Sequence, residues 1–318
     1  MQVGIVVPAF DVAAYIGTAI KSVIAQSHPD WALVIVDDGS RDATAQVAAG
    51  FSDPRIAVLR QDNAGVSAAR NAGFSALGPV DALLFLDADD WLAPDALTRL
   101  CAALADAAVA ACGAYAFVGA TARPGDAPIE VKRRPCGAGG DILPALLTRN
   151  LFANGGHVLL RRQAVARAGG FAAGLAYGED WHFFVRIALQ GRVAVAPGPP
   201  LLFVRRRAGG AYLGQATDPA AHDRCTAAIY AIPGVAERFG PRVATLRRRT
   251  NAERDWVIGR ECLRHGRRAA GLRLLWSSLR ARPGWRRAVL FAAAGVQRLL
   301  PARLHGPFRR YSAEAPGR

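Results

Sequence analysis

Val34-Ile35-Val36-Asp37-Asp38-Gly39-Ser40 and Leu83-Leu84-Phe85-Leu86-Asp87-Ala88-Asp89-Asp90 decide the fold of this chain. Each is a short apolar run that stops at a cluster of acids. Short apolar runs between turn residues read as strands buried on both faces, the kind that build parallel sheets. The acids then stand at carboxyl strand ends, where open α/β sheets bind their ligands. Carboxylates crowded at a strand end repel one another unless something positive lies between them. A divalent cation holding a diphosphate meets that need, because hard cations take oxygen ligands and keep positions for substrate phosphates. The pattern points to an enzyme that handles a nucleotide-linked substrate.

Outward from these two stretches, strand and helix alternate. Val3–Val7 predicts a strand ahead of Pro8, and Tyr15, Ile16, Ala19, Ile20, Val23 and Ile24 mark one face of a helix. Leu33–Val36, Ile56–Leu59 and Ala82–Leu86 predict further strands. A short helix is expected from Asp42 to near Gly50, and another from near Gly65 to Leu77. A helix from Pro94 to near Ala108 follows, with proline in its first turn. Such βαβ repetition predicts an α/β protein with a mostly parallel sheet and helices on both faces.

The later chain is looser. Residues 121–140 and 205–220 read as loops, the second holding Gly209, Gly210 and Gly214. Leu143–Leu147 and Val158–Leu160 are expected to be ordered, and Trp181–Leu189 to be a helix. Residues 242–280 predict two basic amphipathic helices hinged near Gly266. A last apolar stretch, Ala288–Leu300, is closed by Pro301. No internal repeat is visible.

The 318 residues suffice for one substantial α/β domain with an appendage, and an apolar fraction of 52% excludes a disordered chain. Five cysteines without a CxxC pair, and scattered histidines, argue against zinc and for a reducing compartment. No secretory signal is visible ahead of the strand expected at Val3–Val7, and no apolar run approaches a membrane span. A cytoplasmic protein is therefore expected. The net charge of +15 is uneven: residues 1–240 hold 21 basic and 21 acidic side chains, residues 241–318 hold 19 arginines and 4 acids. A GC-rich genome favours arginine over lysine but does not explain acids missing from one segment.

With these motifs in order, the chain resembles a known family. Val6-Val7-Pro8-Ala9-Phe10, Val36-Asp37-Asp38-Gly39-Ser40, Asp62-Asn63-Ala64-Gly65-Val66-Ser67-Ala68-Ala69-Arg70-Asn71 and Leu86-Asp87-Ala88-Asp89-Asp90 resemble the nucleotide-binding half of family 2 glycosyltransferases, which have the GT-A fold. Gly169-Gly170-Phe171 and Gly178-Glu179-Asp180-Trp181 look like the same family's acceptor-side motif. The likeness is collinear over roughly residues 3–210, about two-thirds of the chain. It implies a nucleotide-sugar-binding half at 1–110 and an acceptor-binding half at 111–235, followed by an arginine-rich helical extension at 236–318. It also implies an inverting transfer from a nucleoside-diphosphate sugar, UDP first among the candidates, to a saccharide or lipid-linked acceptor in cell-surface glycan synthesis.

The residues can be read beside that resemblance. Asp37 and Asp38 stand where a nucleoside would enter, and a carboxylate there accepts hydrogen bonds from base or ribose. The resemblance adds backbone near Pro8 closing over the base. Asp87 and Asp89 alternate, so their side chains point the same way from an extended segment. By resemblance Asp89 coordinates Mg²⁺ or Mn²⁺, and Asp87 contacts ribose or a metal-bound water. Asn63 and Gly65 shape the loop before the helix that carries Arg70. Arg70 either steadies the Asp87/Asp89 side and the phosphates or forms a plain salt bridge. Asp180 is the candidate general base, with Glu179 as the alternative; the pair could instead cap the helix at Trp181. Trp181 belongs either to the core or to a sugar-stacking face.

The pattern departs from the family after Phe203. Relatives carry Tyr-Arg-x-His there, whereas this chain has Val204-Arg205-Arg206-Arg207. Arg207 in the histidine's place would meet the diphosphate as a cation without ligating the metal. The glycines beyond it suit a loop that closes over the donor. In the tail, Trp285, Val289, Ala292, Val296 and Leu299 share a helical face between arginine clusters, the pattern of a helix lying on an anionic membrane. A solvated helical face competes with that reading. Nucleic acid is not expected, since no aromatic platform is interleaved with the charge. Two other functions compete: a sugar nucleotidyltransferase, which would need a Gly-rich phosphate loop absent here, and a non-catalytic adaptor with a retired sugar-nucleotide fold, which would be expected to shed the carboxylates.

Overall fold

A computed structural model of the chain describes residues 1–104, 108–207, 218–264 and 266–296. Two compact units emerge: Met1–Leu146 with Asn150–Arg207, and Leu147–Arg149 with the described residues from Asp218 onward. The stretches expected as halves at 1–110 and 111–235 contribute strands to the same two sheets, the last strand ending at Arg205, and the first compact unit ends at Arg207. The loop glycines Gly209, Gly210 and Gly214, and Leu299, Leu300 and Pro301 of the last apolar stretch, lie outside the described residues.

The first unit begins as expected with β1 (Val3–Ala9), α1 (Ala13–Ile24), β2 (Trp31–Asp37), α2 (Thr44–Ala49), β3 (Ile56–Arg60), α3 (Val66–Ala76) and β4 (Ala82–Phe85). All of β1 is buried, which is why its sequence shows no alternation. Helix α1 buries the stripe Ile16, Ala19, Ile20 and Val23 against the sheet, with Ile16, Ile20 and Val23 each contributing about 1.5–3 kcal/mol. Next come β5 (Trp91–Leu92), α4 (Ala96–Ala103), β6 (Ala108–Gly113), β7 (Tyr115–Val118) and β8 (Glu130–Lys132). They are followed by α5 (Leu143–Thr148), β9 (Val158–Arg161), α6 (Arg162–Ala168), α7 (Glu179–Ala188), β10 (Arg192–Ala196) and β11 (Leu202–Arg205).

The main sheet has seven strands in the order β10-β6-β9-β4-β1-β2-β3. All its pairings are parallel except those of β9, which runs antiparallel to both β4 and β6. A smaller sheet, β5-β11-β7-β8, carries a strand inside the expected 121–140 loop. The α4 helix is shorter than the alanine-rich run predicts. By Ala108 the chain is already a buried strand of the main sheet.

These connections set the ligand crevice. The chain passes from β1 through β2 to β3 on one side, then returns to place β4 on the other side of β1. Strand order therefore reverses between β1 and β4, the switch point at which such sheets open a crevice beyond the carboxyl strand ends. Ala9 of β1 lies opposite Asp37 in register, and the N–H of Leu86 donates to the Val6 carbonyl at 2.9 Å. Asp37 and Asp87 are thereby placed on either side of β1.

The second unit is helical: α8 (Pro219–Tyr230), α9 (Pro233–Phe239), α10 (Arg242–Arg264), α11 (Arg268–Ala281) and α12 (Trp285–Val296). Asp218 caps α8 by accepting from the N–H groups of Ala220 (2.9 Å) and Ala221 (3.2 Å). Helices α10 and α11 form the expected hairpin about Gly266. Gly259 and Gly271 let their backbones meet, since a Cβ on either would stand within 3.0 Å of the other's carbonyl oxygen. Asp255 accepts from Arg254 (2.7 Å) and Ser277 (2.6 Å), and Glu253 accepts from Arg282 and Arg287. No described helix is long and apolar enough to cross a membrane.

Candidate active site

At the end of β2, Asp37 is fully buried. One oxygen accepts from the Ser40 N–H at 3.1 Å. The other lies 3.3 Å from Arg60 Nε yet has no hydrogen bond, so a buried acceptor retains capacity for an incoming donor. Asp38 is committed differently. Its oxygens accept from Gln61 Nε2 (2.7 Å), Ala64 N (2.9 Å) and Gly65 N (2.8 Å), which shapes the loop leading into α3. Between the two acids and that loop, Gly39 sits at φ +75° with Asn63 N only 2.9 Å from where a Cβ would be, so no other residue fits. Gly39, Arg60, Gln61, Asp62 and Asn63 line an open groove beside Asp37. Pro8 lies opposite Val36 in the adjoining strand.

Beyond β4 the acids are matched by arginines. Arg70, only 5% exposed on α3, contacts Asp87 at 2.9 Å and Glu179 at 3.1 Å. A buried guanidinium costs several kcal/mol unless it is paired, so both carboxylates are needed to hold it. They keep it firmly protonated despite burial. Arg207 Nε lies 2.6 Å from Asp89 Oδ2. Asp90 is buried, accepting from Asn154 Nδ2 (2.6 Å) and the Arg205 N–H (2.8 Å). Burial first, then the charges of Asp89 and Asp87, push its carboxyl well above the usual range. The repulsion that the sequence assigns to a cation is thus met here by Arg70 and Arg207.

Among the described residues, no three His, Cys, Asp or Glu side chains converge as a metal cluster. Asp87 and Asp89 remain partly exposed and offer hard oxygen donors at a strand end. That set fits a cation taking one protein carboxylate and completing its shell with phosphate and water oxygens.

The Glu179-Asp180 pair opens α7 after Gly178, within reach of the helix's positive end. Asp180 accepts from its neighbour Trp181 N (2.6 Å) and from Asn150 Nδ2 (3.2 Å). The first bond is a contact with the next residue inside the helix; the cap position belongs to Gly178 and no side chain caps α7, so the capping reading weighed from sequence is not realised. The second bond ties the carboxyl to a loop 30 residues away in sequence. Desolvation, then the charge of Glu179, pushes the Asp180 carboxyl up to about 7, with Arg70 opposing them. Trp181 is a core residue: it is buried and donates to the Leu146 carbonyl at 2.7 Å. The Gly169-Gly170-Phe171 motif docks on α3. Asn71 donates to the Phe171 carbonyl at 2.9 Å and accepts the Phe171 N–H at 2.8 Å, and the Phe171 ring lies beneath Arg70.

Arg70, Asp87, Glu179 and Asp180 are therefore brought together, with Asp89 beside Asp87 in sequence; Asp37, Asp38 and Asn63 gather at the end of β2. Asn71, Asn150, Asn154 and Asp90 carry no role in the sequence reading. Asn71 and Asp90 lie inside quoted motifs, which was the only available signal.

Comparison with known proteins follows the same lines. The chain is 37% identical over 94 residues to the Escherichia coli UDP-Glc:alpha-D-GlcNAc-diphosphoundecaprenol beta-1,3-glucosyltransferase WfgD, covering 29% of this chain and 36% of that protein. It spans well under half the length of the curated relatives it matches. The structure superposes on Staphylococcus aureus TarS 1-349 in complex with UDP-GlcNAc with a TM-score of 0.62 at 17% identity, over 97% of this chain and 90% of that one. For the Pyrobaculum calidifontis mannosyltransferase PcManGT in complex with GDP-Man and Mn²⁺ the TM-score is 0.58 at 18% identity, over 94% and 81%. At these identities the likeness establishes the fold, a GT-A arrangement. The family model for glycosyl transferase family 2 matches residues 4–168, just over half of the chain, and the chain belongs to that family.

Proposed function

We propose that this protein transfers a sugar, with inversion, from a nucleoside-diphosphate sugar to an acceptor hydroxyl in surface-glycan synthesis. The observation that carries this reading is Arg70. One buried guanidinium joins Asp87, at the donor-side strand end, to Glu179, beside the candidate base. Asp180, pushed up to about 7, takes the acceptor proton near neutral pH, where a general base works best. A single displacement inverts the anomeric carbon and needs no covalent nucleophile. The Asp37 oxygen beside Arg60, which makes no hydrogen bond of its own, accepts from the base or ribose. Mg²⁺ or Mn²⁺, held by Asp89 and the diphosphate with Asp87 nearby, would neutralise charge on the departing phosphate. Donors named for WfgD and TarS favour UDP, and the WfgD acceptor favours a lipid-linked one. A nucleotidyltransferase or a retired adaptor accounts less well for a paired, buried acidic network with a carboxyl tuned to neutrality.

The test is a thermal-shift screen against UDP-, GDP- and dTDP-sugars, with and without Mn²⁺, on the wild type and Asp89→Ala. One nucleotide class should raise the melting temperature in a metal-dependent way that the variant loses. A folded protein stabilised by no donor would overturn the reading.

A second reading concerns the helical unit. On α12, Trp285 (72% exposed), Val289 (60%) and Ala292 face outward, and Trp276 of α11 is 49% exposed. Arg280, Arg282 and Arg286 flank them. Apolar side chains ringed by arginine suit the anionic cytoplasmic face of a membrane. The side chains of Val296 and Leu299, expected on the same face, lie outside the described residues. Co-sedimentation with anionic liposomes at physiological salt tests this, and absence of binding would end it.

A further inference from the structure

The three consecutive arginines at the end of β11 are held in different ways. Arg205 is fixed in place: its N–H bonds Asp90, its Nε the Asp89 carbonyl (3.0 Å), and its Nη1 the carbonyls of Ala120 (2.8 Å) and Ala122 (2.7 Å). Its guanidinium also lies over the rings of Tyr15 and Trp91. Arg206 turns away to Glu130 (3.1 Å) and the Phe117 ring. Arg207 reaches back, beside Tyr15, to the Asp89 carboxylate at 2.6 Å, and both partners are only partly buried. A cation–carboxylate pair that water still reaches can be exchanged for a better partner. The group standing on Asp89 is therefore the one cation of the three that is not locked to backbone carbonyls or directed away from the acids.

We propose that Arg207 is a charge placeholder: it occupies the Asp89 carboxylate while the donor is absent and gives it up in exchange for the donor's diphosphate. The inference rests on the reading of Asp89 as the protein ligand of the cation. Arg207 and the cation need the same carboxylate, so the two compete. With no nucleotide present, displacing Arg207 strands a guanidinium without an anion. With a nucleoside diphosphate present, the freed guanidinium has phosphate oxygens to bind, a partner whose geometry it matches. Cation and nucleotide are thereby coupled, each strengthening the other's binding by the same factor. The arrangement keeps the strand-end acids neutralised between turnovers and discourages cation uptake in the absence of substrate.

The experiment is a Mn²⁺ titration followed by electron paramagnetic resonance on the full chain, with and without UDP. Four proteins are compared: wild type, Arg207→Gln, Arg207→Lys and Asp89→Asn. Melting curves confirm that each is folded. Arg207→Gln should bind Mn²⁺ alone about fivefold more tightly than the wild type, the loss of one partly exposed pair. UDP should then enhance its Mn²⁺ affinity less than it does for the wild type. Arg207→Lys, which keeps the charge, should stay near the wild type for Mn²⁺ alone. Unchanged Mn²⁺ affinity in Arg207→Gln, with binding lost in Asp89→Asn, would overturn the placeholder and leave the cation site standing. Mn²⁺ binding with UDP that is indifferent to Asp89→Asn would overturn the cation site itself, and the placeholder with it.

Discussion

Arginine does opposite work in the two units. In the α/β unit, Arg70, Arg205 and Arg207 are directed onto acids and carbonyls, Arg70 and Arg205 by several contacts each and Arg207 by the single carboxylate of Asp89. In the helical unit, arginine exceeds the acids available to it. Glu253, Asp255 and Glu261 take Arg282, Arg287, Arg254 and Arg264. Arg280 and Arg286 are left among the residues flanking exposed tryptophan. The difference teaches that net charge locates a surface but not a mechanism. The α/β unit, which holds the candidate site, is close to charge balance, and the basic excess lies in the helical unit.

The comparison breaks first at Asp180. Asp180→Asn should lower kcat/KM about a thousandfold while UDP affinity, measured by calorimetry, barely moves. In the wild type, activity should rise with pH through about 7 as the Asp180 carboxyl ionises. Stability has the opposite sign. A carboxyl raised on folding binds its proton more tightly in the native state, so stability falls as pH climbs from about 4 to about 7. Asp180→Asn should flatten that slope in melting curves. If activity were flat across this range, Asp180 would not be the base.

Arg70→Ala comes next. It leaves Asp87 and Glu179 facing each other without their shared cation, and should cost about 3 kcal/mol in denaturant unfolding. Arg70→Lys should restore part of that, since one ammonium lacks the fork that spans both acids. A cost under about 0.5 kcal/mol, as for ordinary surface changes, would mean that the pairing is incidental.

The smallest effect belongs to the basic end. Replacing Arg280, Arg282 and Arg286 with glutamine should shift the melting temperature little, yet weaken binding to anionic liposomes by about 1 kcal/mol per side chain. Equal binding by the triple variant would assign these charges to plain solvation.

The donor-side frame was legible because buried parallel strands announce themselves as unbroken apolar runs, as at Val3–Ala9, and stop at acids. The same rule failed at Ala108–Gly113. There an alanine-rich stretch follows the α4 sequence with Val109 as its one β-branched residue and no aromatic, too few to separate strand from helix. It also could not orient β9, because antiparallel insertion is a matter of pairing and not of local pattern. The site acids could be identified singly, but their partners could not. Arg70 and Glu179 are 109 residues apart, and Arg207 and Asp89 are 118 apart. No periodicity links positions so distant. The sequence did flag Arg207 as a departure, and the structure shows what it touches.

The reciprocal bond between Asn71 and Phe171 has its own consequence. A carboxamide that both gives to and receives from the backbone of one residue behaves as a two-pin socket, and only a side chain with one pin of each kind fits. Aspartate, though the same shape, presents two acceptors and would repel the carbonyl. The segment that carries Phe171 is thus plugged into α3 at a joint with a fixed polarity, beside the ring contacts that Phe171 makes with Phe85 and Phe183. Different acceptor-side loops could be spliced onto the donor-side frame, and would seat correctly so long as their backbone enters that socket.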